Sequence, residues 1–238
     1  MSPSRLNPNL PAPTRQLERQ AVAEGATVIA GLDEVGRGSW AGPLVVGACV
    51  AGKPGGIRGV RDSKMLSERQ RESLYPTLEQ WVQGFGIGSV SARECDELGM
   101  SPALTLAASR ALDAMADQFG LVPDALLVDG PFDFVKRPNM LTITKPKADR
   151  LSVSVAAASV LAKVSRDRVM RNMSLHFDPF EFDQNKGYPS PRHIWSLWGH
   201  GPTPEHRRSW AFMDHMPWPG LVFQRPSNAA ELGQLLFP

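Results

Sequence analysis

Cysteine is nearly missing from this chain. Cys49 and Cys95 are the only two in 238 residues, which argues against a disulfide framework or a cysteine-built zinc site and fits a reducing compartment. Also missing is any uninterrupted apolar run of the ~18 residues that a membrane helix needs. The opening stretch, MSPSRLNPNLPAPTRQ, carries prolines in place of an apolar segment, so a secretory signal is not expected. Charge of either sign is not in excess: 26 Lys and Arg stand against 24 Asp and Glu, for a net +2. That balance permits contact with a polyanion without the basic bias of a protein that coats nucleic acid. The expectation is a soluble, cytoplasmic protein that acts as a monomer and away from membranes.

A core, by contrast, is well provided for. Hydrophobic residues make up 42% of the chain, enough at this length for one good-sized domain or a domain plus a small appendage. Residues 1–14 read as a flexible leader, and Thr14 to about Gly25 as a polar helix. ATVIAGL and PLVVGACVAG are strand-length apolar runs joined by a glycine-rich turn, so a hairpin or meander is expected. DSKMLSERQRESLYPTLEQWVQ reads as helical, with Ser67 as its cap and Pro76 kinking or breaking it. GFGIGSVS suits a strand packed closely against something. SPALTLAASRALDAMADQFG is a periodic helix, with Pro102 in its first turn and Gly120 at its end. DALLVDG and NMLTITK supply two more strands, and RLSVSVAAASVLAKVSRDRVMRN a long helix with a small apolar face. Three strands followed by strands alternating with helices describe an α/β fold, a mixed five-stranded sheet flanked by helices. The expected division is leader 1–14, catalytic domain 15–174, helical extension 175–222 and tail 223–238.

The chemistry is carried by acids. Asp33 and Asp129 each end an apolar strand close to a glycine, the position at which α/β sheets place ligands. Glu34 follows Asp33 directly, and since neighbouring side chains in a strand point to opposite faces, it joins Asp33 only where the strand bends or stops. Asp149 precedes the long helix, where an ordinary N-cap is the alternative reading. For Asp129 the alternative is a strand-end turn. Four acids without a matching His or Cys cluster form an all-oxygen set suited to a hard cation, Mg2+ or Mn2+. Two such ions favour phosphodiester hydrolysis.

The strings GLDEVGRGSWAGPLVVGA, DSKMLSERQRESLY, LLVDG, KADRLSVSVAAASVLAKVSRDRVM, NKGYPSPRH and GPTPEHRRSW resemble, in order and spacing, the blocks of prokaryotic type 2 ribonuclease H, ribonuclease HII, from about Val28 to Trp210. The resemblance implies a ribonuclease H-like fold with a C-terminal helical extension. It also implies a metal-dependent endonuclease that cuts the RNA strand of RNA/DNA hybrids and nicks 5′ to ribonucleotides embedded in duplex DNA. Its metal-binding acids fall on Asp33, Glu34, Asp129 and Asp149. Gly36, Arg37 and Gly38 fall on its reader of the ribose 2′-hydroxyl, where a hairpin turn is the plainer reading, and Tyr188 on the residue that stacks at the ribo-to-deoxyribo junction. Lys64, Ser159, Lys163 and Arg166 fall on backbone-phosphate contacts, which position a duplex without reading it. For His206-Arg207-Arg208 a role in holding the C-terminal segment is favoured over a nucleic-acid edge. Gly99 and Met100 depart from the family's usual asparagine and branched apolar residue. The terminal GQLLFP resembles a sliding-clamp-binding peptide over Gln234–Phe237, with packing on its own domain as the plainer alternative. Two rivals remain open, a related nuclease acting on branched DNA and a hybrid-binding module without activity.

Overall fold

The computed structural model describes residues 12–55, 57, 59, 60 and 63–224. In chain order the elements are α1 (Gln16–Ala23), β1 (Ile29–Val35), β2 (Leu44–Val50), α2 (Glu68–Trp81), β3 (Gly84–Val90), α3 (Ala92–Leu98), α4 (Met100–Phe119), β4 (Ala125–Asp129), β5 (Leu141–Lys145), α5 (Val153–Ser174), α6 (Phe182–Asn185) and α7 (Pro191–His200), with three short 3-10 turns between them and two after α7 among the described residues. The strands form one sheet in the order β3-β2-β1-β4-β5. β1 and β4 run parallel with Leu32 opposite Val128, and β4 and β5 run parallel with Asp129 opposite Lys145. The α/β class and the five-stranded mixed sheet flanked by helices are therefore as expected.

Contacts divide the chain into two compact units. One takes in the residues up to Val35, Val46–Gly88 and Ala108–Ser165; the other takes in Gly36–Val45, Ser89–Ala107 and the residues from Arg166 on. The first holds most of the sheet. Its core is built on the small-residue face of α5, where Ala156, Ala157, Ala158, Val160 and Leu161 pack with Cys49, Leu78 and Val82. A second cluster, of Leu17, Ala21, Ile29, Ala125, Leu127, Ala148 and Val155, seats α1. Each fully buried Leu or Val adds ~1.5–3 kcal/mol by leaving water. In the second unit Met170, Phe180, Phe182, Leu197, Phe212 and Met213 form an aromatic-rich core.

Local signals explain most boundaries. Ser67 caps α2 through a capping box with Gln70, each side chain reaching the other's backbone N–H. Pro76 does not break that helix, which runs from Glu68 to Trp81 through it, with Tyr75 and Leu78 buried on one face. Tertiary packing of that face outweighs the lost backbone bond. The glycine strand is packed closely, since a Cβ on Gly86 would lie 1.9 Å from the Ala111 carbonyl oxygen of α4. The helix α3 was not expected. It is short, it is capped by Ser91 with Glu94, and it ends at Gly99, whose φ of 81° needs a residue without Cβ. The departure at Gly99-Met100 is thus where one helix stops and α4 starts.

Candidate active site

Asp33 lies near the end of β1 and Asp129 ends β4. Because Leu32 is paired with Val128 on these parallel neighbours, the next residues on the two strands, Asp33 and Asp129, stand side by side. Asp33 is buried, at 7% exposure, and its carboxyl is pushed up from 3.8 to about 7. Burial is the main cause; the charges of Glu34 and Asp129 add to it, while a hydrogen bond from Ser159 and the charge of Lys64 oppose it. The Glu34 N–H donates to Asp33 Oδ1 at 2.8 Å. The strand does not stop between the two acids: it runs to Val35, and the turn comes at Gly36.

Asp149 is not the cap of α5. It sits inside a 3-10 turn, Ala148–Arg150, and is buried at 6% exposure. The capping hydroxyl belongs to Ser152, which accepts from the Val155 N–H at 3.1 Å. The same turn reaches Asp129 through its backbone, since the Ala148 N–H donates to Asp129 Oδ1 at 2.8 Å. The charges of Glu34 and Asp129 thus both act on Asp33, and Asp149 is one residue from the group that holds Asp129. Among the described residues, no three or more His, Cys, Asp and Glu side chains are gathered as a ready metal cage. The donor chemistry nevertheless fits a hard divalent ion: the donors are all oxygens, and a carboxyl raised by burial and two like charges is relieved by a cation.

The phosphate-contact residues divide. Lys64 is exposed and Lys163 half-buried. Ser159 is buried at 3%, joined to Ser63 through their hydroxyls at 2.8 Å and hydrogen-bonded to Asp33. Its hydroxyl is thus placed between Ser63 and Asp33. Ser63 was missed in the sequence, although it stands beside Lys64. Arg166 is buried as well. It is 0% exposed and spends its donors internally, Nε on Pro43 O at 2.8 Å, Nη1 on Lys186 O at 2.9 Å, and Nη2 on Ser39 Oγ at 2.8 Å and Ala41 O at 3.1 Å.

Those bonds shape the Gly36–Gly38 segment in the second unit. Gly36 has φ 84°, and a Cβ there would lie 2.2 Å from Arg166 Nε and 2.7 Å from Pro43 O, so no other residue fits without displacing them. Arg37 and Gly38 are exposed. A Cβ on Gly38 would lie 4.0 Å from Tyr188 Cε1, so Tyr188 borders this loop, and its ring lies 5.7 Å from the Arg166 guanidinium carbon. Arg207, also 0% exposed, donates to Arg37 O at 2.9 Å and to Gly42 O at 3.2 Å. His206 and His193, both buried, meet Nε2 to Nε2 at 2.9 Å, and burial drives His206 down to about 3, so it stays neutral. Arg208 and Ser209 hold Asp96 through their backbone N–H groups at 2.8 and 2.9 Å. His206 and Arg207 thus hold the segment through buried side chains, and Arg208 through its backbone.

A family model described as Ribonuclease HII matches residues 30–213. The Ribonuclease HII of Streptomyces avermitilis is 46% identical over 206 residues, covering 86% of each chain. Among solved structures, the ribonuclease H2 of Pyrococcus horikoshii OT3 is similar at TM-score 0.65 and 30% identity, over 79% of this chain and 96% of that one. The PCNA:RNase HII complex from Archaeoglobus fulgidus matches at TM-score 0.64 and 25% identity, over 85% and 99%. The chain belongs to the ribonuclease HII family, endoribonucleases that act on the RNA of RNA/DNA hybrids.

Proposed function

We propose that this endoribonuclease also nicks duplex DNA 5′ to single embedded ribonucleotides, leaving a 3′-hydroxyl and a 5′-phosphate, with Asp33, Glu34, Asp129 and Asp149 as the acids that hold two divalent ions, Mg2+ or Mn2+. The observation that carries this reading is the buried Asp33 beside Asp129, its carboxyl raised to about 7. Paired hard ions, when bound, stabilise charge on the attacking and leaving oxygens of a phosphoryl displacement. The protein's own part is to fix the acids. Ser159 and the Glu34 N–H orient Asp33, and the Ala148 N–H orients Asp129.

Selectivity for ribose is assigned to the loop Gly36, Arg37 and Gly38 with Tyr188. Backbone groups at glycines can approach a 2′-hydroxyl closely, and that hydroxyl is what separates RNA from DNA. The bordering of Gly38 by Tyr188 supports treating the two as one reader. Lys64 and Lys163 are the remaining candidates for phosphate contact, which places the duplex without reading sequence.

The deciding experiment is cleavage of DNA carrying one ribonucleotide, with Mg2+, with Mn2+ and with EDTA, mapped to the nucleotide. Metal-dependent cutting at one bond 5′ to the ribonucleotide is expected. Equal cutting of an all-DNA duplex, or of branched DNA alone, would overturn the ribose-reading role, and binding without scission would leave a hybrid-binding module.

No described helix is long and apolar enough to cross a membrane, and the proposed setting is the cytoplasm, with the protein acting as a monomer. The clamp-binding reading of Gln234–Phe237 lies outside the described residues and stands as a proposal, supported by the Archaeoglobus fulgidus relative having been solved with PCNA. Removing residues 233–238 should weaken binding to the sliding clamp about tenfold or more, a loss of ~1.4 kcal/mol. Unchanged affinity in a surface-binding assay rules the peptide out.

A further inference from the structure

The segment in front of the family match is tied into the neighbourhood of the acids. α1 precedes residue 30, where that match begins, yet it is stitched to the chain that carries Asp149. The Thr14 N–H donates to Arg150 O at 3.0 Å and the Leu17 N–H to Leu151 O at 3.2 Å, and Arg15 forms a bridge with Ser152. At the centre is Glu18, buried at 8% exposure. Its Oε1 accepts from Ser152 Oγ at 2.7 Å and from the Ser154 N–H at 2.9 Å, while its Oε2 is buried with no hydrogen-bond partner.

These contacts converge on one place. Ser152 is the residue that caps α5. Ser154 and Val155 press on β1 so closely that a Cβ on Gly31, two residues before Asp33, would lie 2.3 Å from Val155 N. Immediately before Ser152 comes the turn Ala148–Arg150, which bears Asp149 and supplies the N–H that holds Asp129. The start of α5 is thus fixed from two sides, by β1 and by Glu18, and two of the four acids depend on where it is fixed.

We propose that Glu18 is a positioning residue for Asp129 and Asp149, acting through Ser152 and Ser154 on the turn between them. The inference rests on the reading that these acids hold divalent ions. A carboxylate with one oxygen buried and unpaired is a poor choice for packing alone, because a leucine would fill the space without a stranded polar atom. Its value lies in Oε1, which ties a side-chain hydroxyl and a backbone N–H of α5 to α1. Groups that orient ligands without touching the ion characteristically change metal affinity by 10- to 100-fold when removed.

The test compares the full chain with Glu18→Leu, Glu18→Gln and Ser152→Ala. Mn2+ binding to the free protein is measured by calorimetry, together with the Mg2+ dependence of ribonucleotide cleavage and KM for the duplex. Glu18→Leu should weaken Mn2+ binding about tenfold and raise the Mg2+ needed for half-maximal rate by a similar factor, with KM unchanged. Glu18→Gln retains an accepting oxygen and should restore both to wild-type values. Ser152→Ala, a gentler change should Glu18→Leu not fold, should shift them in the same direction by a smaller factor. A Glu18→Leu or Ser152→Ala protein that melts earlier but binds Mn2+ as wild type does overturns the positioning role. Failure of the underlying reading looks different: there the wild-type protein itself shows no Mn2+ binding that Asp149→Asn reduces.

Discussion

Asp33→Asn is expected to lower hydrolysis of a ribonucleotide-containing duplex by roughly a thousandfold, the scale of losing a main electrostatic contributor, while duplex affinity stays near wild type. The substitution keeps the shape, and its amide oxygen can still accept from the Glu34 N–H, but it removes the charge. Asp129→Asn should behave alike, since its oxygen accepts from the Ala148 N–H and the amide oxygen can still do so. Single-turnover cleavage with filter binding separates the two effects. Loss of binding in step with activity would mean that the acids build the duplex site and not the chemistry.

The same substitution should make the protein more stable in EDTA, and the pH dependence gives the sign. Asp33 holds its proton up to about pH 7 when folded, whereas the unfolded carboxyl releases it near 3.8. Between those values the folded state binds more protons, so stability contributed by this group falls as pH rises. The penalty is absent below about pH 4 and fully developed above 7. At 1.36 kcal/mol per unit the upper bound is ~4 kcal/mol, and water entry at the mouth of a strand reduces it to ~1–3 kcal/mol. Urea midpoints at pH 3.5 and 7.5 in EDTA should therefore nearly coincide for wild type and Asp33→Asn at the lower pH and separate at the higher, with the variant more stable. A variant less stable at pH 7.5 contradicts the account of a destabilised acid.

Much of this arrangement is readable from the chain because the signals are local. Ser67 with Gln70, the alternating glycines of β3 and the small-residue stripe of α5 each announce their element through side-chain chemistry within a few residues. Asp33 and Asp129 are legible for a related reason, since a charge ending a buried strand is costly without a purpose. What stayed hidden depends on partners far away in sequence. Arg166 reads as a helix cation and turns out to be buried, because its acceptors at Pro43 and Lys186 lie 123 and 20 residues away. Ser159 reads as a phosphate contact and instead meets Ser63, 96 residues back. Asp149 has the composition of a cap, but the hydroxyl three residues later does the capping. The short α3 escaped because seven residues give too little periodicity, though its capping box was present in the letters SAREC.

Replacing Arg166 with Met should be the most destabilising single change in the second unit, costing about 3–5 kcal/mol of the ~5–15 kcal/mol that holds a domain folded. Two effects oppose each other. Burial lowers the arginine from its ordinary value to about 10, so removing the charge recovers up to ~3 kcal/mol of desolvation. Against this, carbonyl oxygens of Pro43, Lys186 and Ala41 and the Ser39 hydroxyl lose their donor, and each orphaned buried acceptor costs ~1–3 kcal/mol, not fully additively. Four acceptors outweigh one desolvated cation, so the net sign is destabilising. The loop from Gly36 to Gly42 should also loosen, and with it the preference for ribose, seen as a smaller ratio of cutting at a ribonucleotide to cutting at its deoxy counterpart. Gly36→Ala provides the cross-check. In the wild-type background its Cβ meets Arg166 Nε at 2.2 Å, an atom held in place by its bond to Pro43 O; in Arg166→Met the terminal methyl at that place is tethered by no hydrogen bond and can turn away, leaving the Pro43 contact and the positive φ. Its cost should therefore shrink by about 1 kcal/mol or more in the double variant, a coupling of the size expected for residues in contact. Urea titration of the four proteins measures it. Additive costs would show that Gly36 and Arg166 do not share the same space, and the arginine's place under the loop would have to be given up.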